Sequence, residues 1–115
     1  MAEECLFCKI HQRQIPSVSV FEDAGVFAFR DIRPQAPTHV VLIPKQHIDR
    51  VSAVDASTAP LMGQLILAAN RIAKQEGLLE NRYRLVINCG RDGGQTVFHL
   101  HLHLLGGRPL QWPPG

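Results

Sequence analysis

The sequence lacks long apolar runs and a strong net charge. No apolar stretch approaches the length of a membrane-spanning helix, and the acidic segment Glu3-Glu4 has none of the apolar core of a signal peptide. The net charge is +2 with histidine counted as neutral, and the basic residues are scattered along the chain. These absences argue against nucleic acid and membrane as partners. We expect a cytoplasmic protein, or an organellar one if a transit peptide has been removed.

Internal repeats and low-complexity linkers are also absent, and nothing in the composition marks a second core. With 115 residues, of which 45% are hydrophobic and 19% charged, the chain is long enough for one globular core. We therefore expect a single domain that spans residues 1–115.

Cysteine is scarce, with three residues in the chain, and the count is odd. Two of them stand in the segment Cys5-Leu6-Phe7-Cys8. In a reducing compartment, a Cys-x-x-Cys pair favours metal binding over a disulfide, although two unpaired, half-buried thiols are the alternative. Cys89 has no partner in this pattern, and we expect it to be inert.

The alternation of hydrophobic residues predicts strands joined mostly as hairpins, with one long helix between them. Residues 39–43 are apolar at every position but the first, which is typical of a central strand covered on both faces. The long helix is predicted to begin near Ser57 or Thr58, with Pro60 in its first turn, and to end at Gly77. The fold class is therefore α+β, with about five mostly antiparallel strands. The predicted strands cover residues 18–23, 26–31, 39–43, 83–88 and 99–105, and a short N-terminal helix covers residues 3–12.

The segment that sets the functional hypothesis is His99-Leu100-His101-Leu102-His103-Leu104-Leu105. Side chains alternate between the faces of a strand, so the three histidines are expected on one face and the leucines on the other. Imidazoles titrate near neutral pH and are poor filler for an apolar core. Three of them on one face therefore indicate a site rather than a half-exposed strand with polar residues outward.

Adjacent histidines suit a catalytic metal, acid–base catalysis or nucleophilic attack. On a strand, the Cα atoms of His99 and His103 are roughly 13 Å apart. A zinc ion needs each ligating ring nitrogen at about 2.1 Å from the metal, so one ion cannot readily bind all three histidines. This favours His101 as the reacting group, with His99 or His103 in support. A neutral imidazole attacks through one nitrogen while a fixed acceptor holds the proton on the other, and phosphorus is a suitable target.

A Gly-rich segment, residues 90–96, precedes the histidines and can bring backbone N–H groups to phosphate oxygens. It fits neither the P-loop nor the dinucleotide-binding glycine pattern, and an ordinary hairpin turn explains it equally well. Taken alone, it is weak evidence for a nucleotide.

The histidine segment resembles the motif of the histidine triad (HIT) family, His-φ-His-φ-His-φ-φ, in which φ is apolar. Residues 31–39, residues 92–97 and the tail Trp112-Pro113-Pro114-Gly115 are similar to the Hint branch of that family, the histidine triad nucleotide-binding proteins and purine nucleoside phosphoramidases. The resemblance covers nearly the whole chain. It implies a HIT-like fold and a homodimer whose subunits join their sheets. It also implies hydrolysis of the P–N bond between AMP and an amine, as in adenosine 5′-phosphoramidate. Aminoacyl-AMP, which has an acyl leaving group, is a further implied substrate.

The resemblance also implies catalytic roles. His101 matches the nucleophile, which forms a covalent nucleotidyl intermediate, and His39, His99 and His103 match supporting histidines. No cofactor is implied for the catalytic steps.

Further matching residues are implied to bind the purine nucleotide. Asp31 matches a ribose-hydroxyl ligand, and Thr96 stands where Hint relatives usually have serine, so the hydroxyl is kept and a methyl group is added. Trp112 resembles a tail residue that reaches the active site of the partner subunit. The remaining residues match phosphate and leaving-group contacts, namely Asn88, Gly94, Gln95 and Thr96, or an apolar purine pocket for which ordinary core is the alternative, namely Phe7, Ile10, Phe29 and Ile32.

One departure from animal Hint proteins is the pair Cys5 and Cys8, which resembles a zinc-bearing bacterial subset of the wider family. By position, the pair is joined there by two histidines that correspond to His47 and His99. This implies a closed Cys₂His₂ zinc site of structural type. If zinc takes His99, that side chain cannot also serve catalysis.

Two other functions stay open. A dinucleoside polyphosphate hydrolase shares the histidine triad, although the tail from Trp112 to Gly115 favours the Hint branch. A zinc-stabilised nucleotide-binding or interaction protein is the second alternative. The intact set of His39, Asn88, Thr96 and His101 argues against it.

Overall fold

A central strand, β3 (Thr38–Pro44), is buried at every residue and organises the fold. The computed structural model describes residues 4–78 and 82–115. The other elements are helices α1 (Leu6–His11) and α2 (Ala59–Gln75), a short 3-10 helix (Val51–Ala53), and strands β1 (Ser19–Glu22), β2 (Val26–Arg30), β4 (Tyr83–Val86) and β5 (Leu102–Gly106). The strands form one antiparallel sheet in the order β1-β2-β3-β5-β4.

The two faces of the sheet carry different side chains because residues alternate along each strand. Along β3, Val40 and Leu42 belong to the core under helix α2, whereas Val41 and Ile43 belong to a second cluster with helix α1. The α2 core also receives the leucines of the histidine segment, namely Leu100, Leu102 and Leu104. The alternation therefore leaves the α1 side of the sheet for the histidines.

Helix α2 has the predicted bounds, and Asp55 holds the turn that precedes it. Thr58 is the N-cap residue, and its side chain makes no capping hydrogen bond. A carboxylate oxygen of Asp55 accepts instead from the main-chain N–H groups of Ser57 and Thr58, at 3.0 and 3.2 Å. Gly77 ends the helix with φ +76°, a conformation that glycine adopts at little cost. Among the described residues, no helix has both the length and the apolar character required to cross a bilayer.

An ion pair joins the end of β2 to the end of α2. The guanidinium of Arg30 donates two hydrogen bonds to the carboxylate of Glu76, at 2.7 and 2.9 Å. These bonds lower the pKa of Glu76 below its ordinary value of 4.5. Both side chains are partly exposed, so the pair contributes about 1 kcal/mol at most.

The predicted α+β class is confirmed, and the differences lie at element ends. Helix α1 begins at Leu6, and its predicted start at Glu3 lies outside the described residues. Strand β5 begins at Leu102, so the predicted strand over residues 99–105 is wrong for its first three residues. On the observed register, Leu42 pairs with Leu102, and two residues further along Pro44, which has no N–H to donate, falls opposite Leu100.

Candidate active site and metal cluster

The segment from His99 to His103 sends its imidazoles to two different places. His101 and His103 line a pocket of about 460 Å³ on the α1 side of the sheet. His99 is fully buried instead, at 0% exposure, with its ring against Cys5 and Cys8. The expectation of one shared face therefore holds for His101 and His103, while His99 precedes strand β5 and is directed elsewhere.

His101 is held in one tautomer by the main chain. Its Nδ1 lies 2.8 Å from the carbonyl oxygen of His99, so this nitrogen carries the proton and donates it. The other nitrogen, Nε2, is left with a free lone pair. The ring of Phe7 packs edge-on against the imidazole, with 5.0 Å between the centroids, and restrains its plane. This is the proton arrangement that a nucleophilic imidazole requires.

A chain of hydrogen bonds runs from Gln35 through His39 to His103, and we call these three residues the histidine relay. The main-chain N–H of Gln35 donates to Nδ1 of His39 at 3.0 Å, so neutral His39 carries its proton on Nε2. That Nε2 lies 2.9 Å from Nδ1 of His103 and 3.4 Å from a carboxylate oxygen of Asp31. Neutral His103 therefore carries its own proton on Nε2, and its ring lies 4.9 Å from that of His101.

Burial keeps these imidazoles neutral. It lowers the pKa of His103 to about 4 and also lowers the pKa of His39 and of His101. The carboxylate of Asp31 acts in the opposite direction on all three groups, but burial is the larger effect. The tautomers assigned above are thus the relevant species at neutral pH.

The pocket beside His101 has an apolar wall and one acidic edge. Phe7, Ile10 and Phe29 are buried in the wall, and the rings of Phe7 and Phe29 pack edge-on with 5.4 Å between centroids. Ile32 lies at the rim and is 93% exposed, so a large aliphatic side chain is available to a ligand. Asp31 lines the same pocket. All five residues that were predicted for the purine and ribose are therefore brought together.

The loop of residues 89–96 takes its shape from Gly93 and Gln95. A Cβ atom on Gly93 would lie 2.6 Å from the carbonyl oxygen of Cys89, so only glycine fits. The side-chain oxygen of Gln95 accepts from the N–H of Gly90 at 2.8 Å, and its nitrogen donates to two main-chain carbonyls, one of them on Asp49 at 2.9 Å. These bonds use both hydrogens of the amide nitrogen, so the side chain of Gln95 supports the loop, and its expected contact with the substrate stays a prediction.

The other predicted contacts lie in three places. Thr96 lines the pocket with His101. Asn88 and Gly94 lie beside each other in the loop, where the amide nitrogen of Asn88 is 3.8 Å from the position of a Cβ on Gly94. Trp112 is 80% exposed in the tail and does not line the pocket of its own chain.

A second group of side chains, Cys5, Cys8, His47 and His99, brings four ligand atoms within 4.8 Å of one another, and we call it the Cys/His cluster. Nε2 of His99 donates to the carbonyl oxygen of Pro44 at 2.7 Å, which leaves the lone pair of Nδ1 facing the cluster. Nδ1 of His47 lies 3.2 Å from that nitrogen. The main-chain N–H of Cys8 donates to Sγ of Cys5 at 3.4 Å.

The separations inside the Cys/His cluster fit the edges of a metal tetrahedron. Sγ of Cys5 lies 3.3 Å from Nδ1 of His99, and Sγ of Cys8 lies 3.4 Å from Nδ1 of His47 and 3.5 Å from that of His99. Tetrahedral zinc requires sulfur–nitrogen separations of roughly 3.5 Å and nitrogen–nitrogen separations of roughly 3.3 Å. The four residues therefore form a possible metal-binding cluster.

A comparison with protein families identifies the domain. The sequence model of the HIT domain matches residues 12–110. The chain belongs to the HIT family. Strands β1 to β5, helix α2, the histidine segment and the relay all lie within the matched residues.

Relatives of this HIT protein cover nearly its whole length. Purine nucleoside phosphoramidase of Escherichia coli K12 is 54% identical over 110 residues, which is 96% of this chain and 92% of the relative. A HIT family hydrolase from Legionella pneumophila has a TM-score of 0.94 and 54% identity, over 96% of this chain and 99% of that one. A histidine triad nucleotide-binding protein from Candida albicans has a TM-score of 0.81 and 31% identity, over 95% and 82% of the two chains. The expected family and HIT-like fold are confirmed.

In this HIT protein, His99 was expected both in catalysis and in metal binding, and its main-chain carbonyl and its imidazole make separate contacts. Both ring nitrogens are committed, one to the carbonyl of Pro44 and the other to the Cys/His cluster. The main-chain carbonyl of His99 is the group that orients His101. The side chain of His99 therefore faces the Cys/His cluster, whereas its main-chain carbonyl contacts His101.

Sequence reasoning missed part of the pocket and one end of the relay. Ile15, Pro16 and Val97 line the pocket, and the apolar pattern of the sequence could have included them. Gln35 donates to His39 through its main-chain N–H. Because every residue except proline has this group, the residue type at position 35 does not predict the bond.

Proposed function

We propose that this HIT protein is a purine nucleoside phosphoramidase, which hydrolyses the P–N bond between AMP and an amine, with aminoacyl-AMP as a further substrate class. The observation that carries the proposal is the 2.8 Å bond from Nδ1 of His101 to the carbonyl of His99, which leaves Nε2 free beside a pocket of nucleotide-like character. The name of the 54% identical relative from Escherichia coli supports the same activity.

The reaction proceeds in two steps at His101. Nε2 attacks the α-phosphorus and forms a P–N bond to the imidazole as the P–N bond to the amine breaks. The departing amine takes a proton from a water molecule that accepts from Nε2–H of His103, and the carbonyl of His99 stabilises the positive charge gained by the imidazole of His101. The hydroxide formed in this way, still held by Nε2–H of His103, then attacks the nucleotidyl-His101 phosphorus and breaks its bond to the imidazole. One water is consumed, and AMP, free amine and neutral His101 result.

The nucleotide is positioned by residues of the pocket and the loop. The purine packs against the apolar wall of Phe7, Ile10 and Phe29, and Ile32 covers it from the rim. A carboxylate oxygen of Asp31 accepts from a ribose hydroxyl. Asn88, Gly94 and Thr96 contact the phosphate and the leaving group.

We propose in addition that the Cys/His cluster binds one structural zinc ion. Two sulfur and two nitrogen ligands are a preferred set for zinc, and four protein ligands leave no coordination position for a substrate. When bound, the ion supplies a cross-link between helix α1, His47 and His99. Cys5 and Cys8 flank Phe7, so the cross-link holds the helix that forms the wall of the pocket. Elemental analysis should give one zinc per chain, and a stable protein without bound metal contradicts the proposal.

The protein is proposed to act as a homodimer. Within the described ranges, strand β4 pairs with β5 and with no other strand, so its other edge is available to a second sheet. The guanidinium of Arg84 in β4 donates to the carbonyl of Gln111 at 2.9 Å, which holds the tail near this edge. Exposed Trp112 then extends toward the pocket of the partner. Light scattering should give twice the mass of the chain, and a monomer with full activity contradicts this arrangement.

A substrate panel tests the proposed activity. Adenosine phosphoramidates, aminoacyl-adenylates and diadenosine polyphosphates are compared at equal concentration, with and without a chelator. We expect the phosphoramidates to have the highest kcat/KM and turnover to be insensitive to brief chelation. A preference for diadenosine polyphosphates indicates the dinucleotide hydrolase instead, and tight AMP binding without turnover of any substrate indicates a nucleotide-binding protein.

A further inference from the structure

The tail that follows strand β5 reaches back to the loop before strand β3, at the start of the histidine relay. Nε and Nη2 of Arg108 donate to the carbonyl oxygen of Gln35, at 3.2 and 2.9 Å. The main-chain N–H of the same residue donates to Nδ1 of His39 at 3.0 Å. Gln35 is thus held on one side by an arginine and on the other by the imidazole that it orients.

Packing beside Arg108 brings the tail and the loop into contact. Gly107 has φ +93°, and a Cβ atom there would lie 3.0 Å from Cβ of Pro37. Gly106 pairs with Thr38 at the start of β3. Nη1 of Arg108 donates to the carbonyl of Pro109 at 2.9 Å, which restrains the guanidinium. Together these contacts fix the direction from which the arginine approaches the loop.

We propose that Arg108 is a positioning residue, which keeps the N–H of Gln35 on His39 by holding the carbonyl of Gln35. The proton arrangement of His39 and His103 beside the nucleophile depends on that N–H. Without the arginine, residue 35 gains freedom, and Nδ1 of His39 can lose its donor and take the proton. His39 then has no proton on Nε2 to donate to His103. The kinetic consequence rests on the proposed function, whereas the tautomer of His39 does not.

A purely structural role of Arg108 predicts that its replacement lowers the stability of the fold, whereas the positioning role predicts that it lowers turnover. Arg108 is exposed, and the hydrogen bonds of an exposed arginine to main-chain carbonyls contribute little to stability. Its replacement should therefore change turnover more than unfolding. Because the pocket residues are not displaced, substrate binding should change little.

The test compares four variants with the unchanged protein. Arg108→Ala removes both bonds to Gln35, and Arg108→Lys keeps one positively charged donor. Arg84→Ala releases the tail at Gln111 without touching Gln35. Arg71→Ala is the matched control, an exposed arginine on helix α2 beside Phe21. Each variant is measured for kcat and KM with an adenosine phosphoramidate and for the ¹⁵N chemical shifts of the His39 ring, assigned with a His39→Gln sample.

We expect Arg108→Ala to lower kcat about tenfold with KM within about twofold, as for loss of a group that orients a reacting residue. Arg108→Lys should be intermediate, and Arg71→Ala should match the unchanged protein. The ¹⁵N shifts of Nδ1 and Nε2 of His39 should move toward each other in Arg108→Ala, as the second tautomer becomes populated. If Arg108→Ala does not fold, Arg108→Lys must show the same changes in smaller degree.

Unchanged His39 shifts in a folded Arg108 variant overturn the proposal, whatever happens to kcat. A change of the His39 ¹⁵N shifts in Arg84→Ala equal to that in Arg108→Ala also overturns it, because release of the tail in general then explains the effect. If the unchanged protein hydrolyses no phosphoramidate, the proposed function fails, and the His39 shifts still decide the role of Arg108.

Discussion

The Cys/His cluster and the histidine relay lie on either side of His101 and use histidine in opposite ways. In the Cys/His cluster, Nδ1 atoms of His47 and His99 lie 3.2 Å apart, with sulfur atoms 3.3 to 3.5 Å away. In the relay, Nε2 of His39 and Nδ1 of His103 lie 2.9 Å apart, a hydrogen-bond distance. The first spacing suits ligands around a cation, and the second suits a proton between two nitrogens.

The main-chain group on the far side of each ring accounts for the difference. A carbonyl oxygen faces Nε2 of His99, so the proton lies there and the opposite nitrogen offers a lone pair. A main-chain N–H faces Nδ1 of His39, so the opposite nitrogen carries a proton and can only donate. His101 follows the first rule, since the carbonyl of His99 keeps the proton on Nδ1 and leaves the lone pair of Nε2 free. The backbone partner of each imidazole thus determines which ring nitrogen carries the proton and which offers a lone pair.

The largest expected effect comes from His101→Ala. Removing the nucleophile should lower kcat by roughly 10³-fold or more, because no other described group has a free imidazole nitrogen at the pocket. Metal content and the free energy of unfolding should stay near those of the unchanged protein. Steady-state kinetics, elemental analysis and urea denaturation check these points. A variant that retains the original kcat refutes the assignment of His101.

Cys8→Ser should distinguish the role of the Cys/His cluster from that of the relay, because it is expected to lower stability. Losing one ligand should abolish stoichiometric zinc and lower the free energy of unfolding by roughly 3 kcal/mol or more. Cys89→Ser is the matched control, since Cys89 is exposed and outside the cluster. Equal metal content and equal stability in the two variants contradict a structural metal.

His39→Gln should lower turnover and leave the metal content unchanged, the opposite of the effects expected for Cys8→Ser. A glutamine amide has an acceptor and a donor, but it lacks the rigid ring that places them between Gln35 and His103 and it cannot take up a proton, so kcat should fall roughly 10- to 100-fold. Zinc content should remain at one per chain, because the relay shares no ligand with the Cys/His cluster. Kinetics and elemental analysis on one preparation measure both. Loss of zinc in this variant means that the two clusters are not separate.

The smallest effect is expected at Glu76, which belongs to neither cluster. Arg30 lowers the pKa of Glu76, so the carboxylate stabilises the fold above its ordinary pKa of 4.5, and this contribution is lost as the pH falls through the lower, folded value. Glu76→Gln should therefore cost about 1 kcal/mol near neutral pH, and the difference from the unchanged protein should shrink below pH 4.5. Urea denaturation at several pH values tests this. A difference that grows on acidification contradicts the sign.

The fold was largely predictable because its elements have clear periodicity. The apolar run of β3 and the glycine stop of α2 each follow from a local rule that tertiary packing did not override. The start of β5 was not predictable in the same way. It depends on the register that places Pro44 opposite the histidine segment, and a register is set by the whole sheet.

The sequence could indicate side chains of the candidate site but not its main-chain contacts. The motif and the family resemblance pointed to His101, Asp31 and the apolar residues that the structure brings together in one pocket. No local pattern joins Cys5 to His99, which is 94 positions away, so their contact depends on the completed fold. The roles of Gln35 and Gln95 depend on which main-chain groups they meet, and the sequence contains no signature for those bonds.

Trapping the covalent intermediate tests the central claim most directly. The protein is mixed with an adenosine phosphoramidate, quenched in base after a few milliseconds, and digested for peptide mass analysis. We predict the added mass of one AMP group on the peptide that contains His101, at stoichiometric amount in the burst, and its absence from His101→Ala. The same adduct on the His39 peptide, or turnover without any adduct on histidine, contradicts the division of roles between the nucleophile and the two clusters.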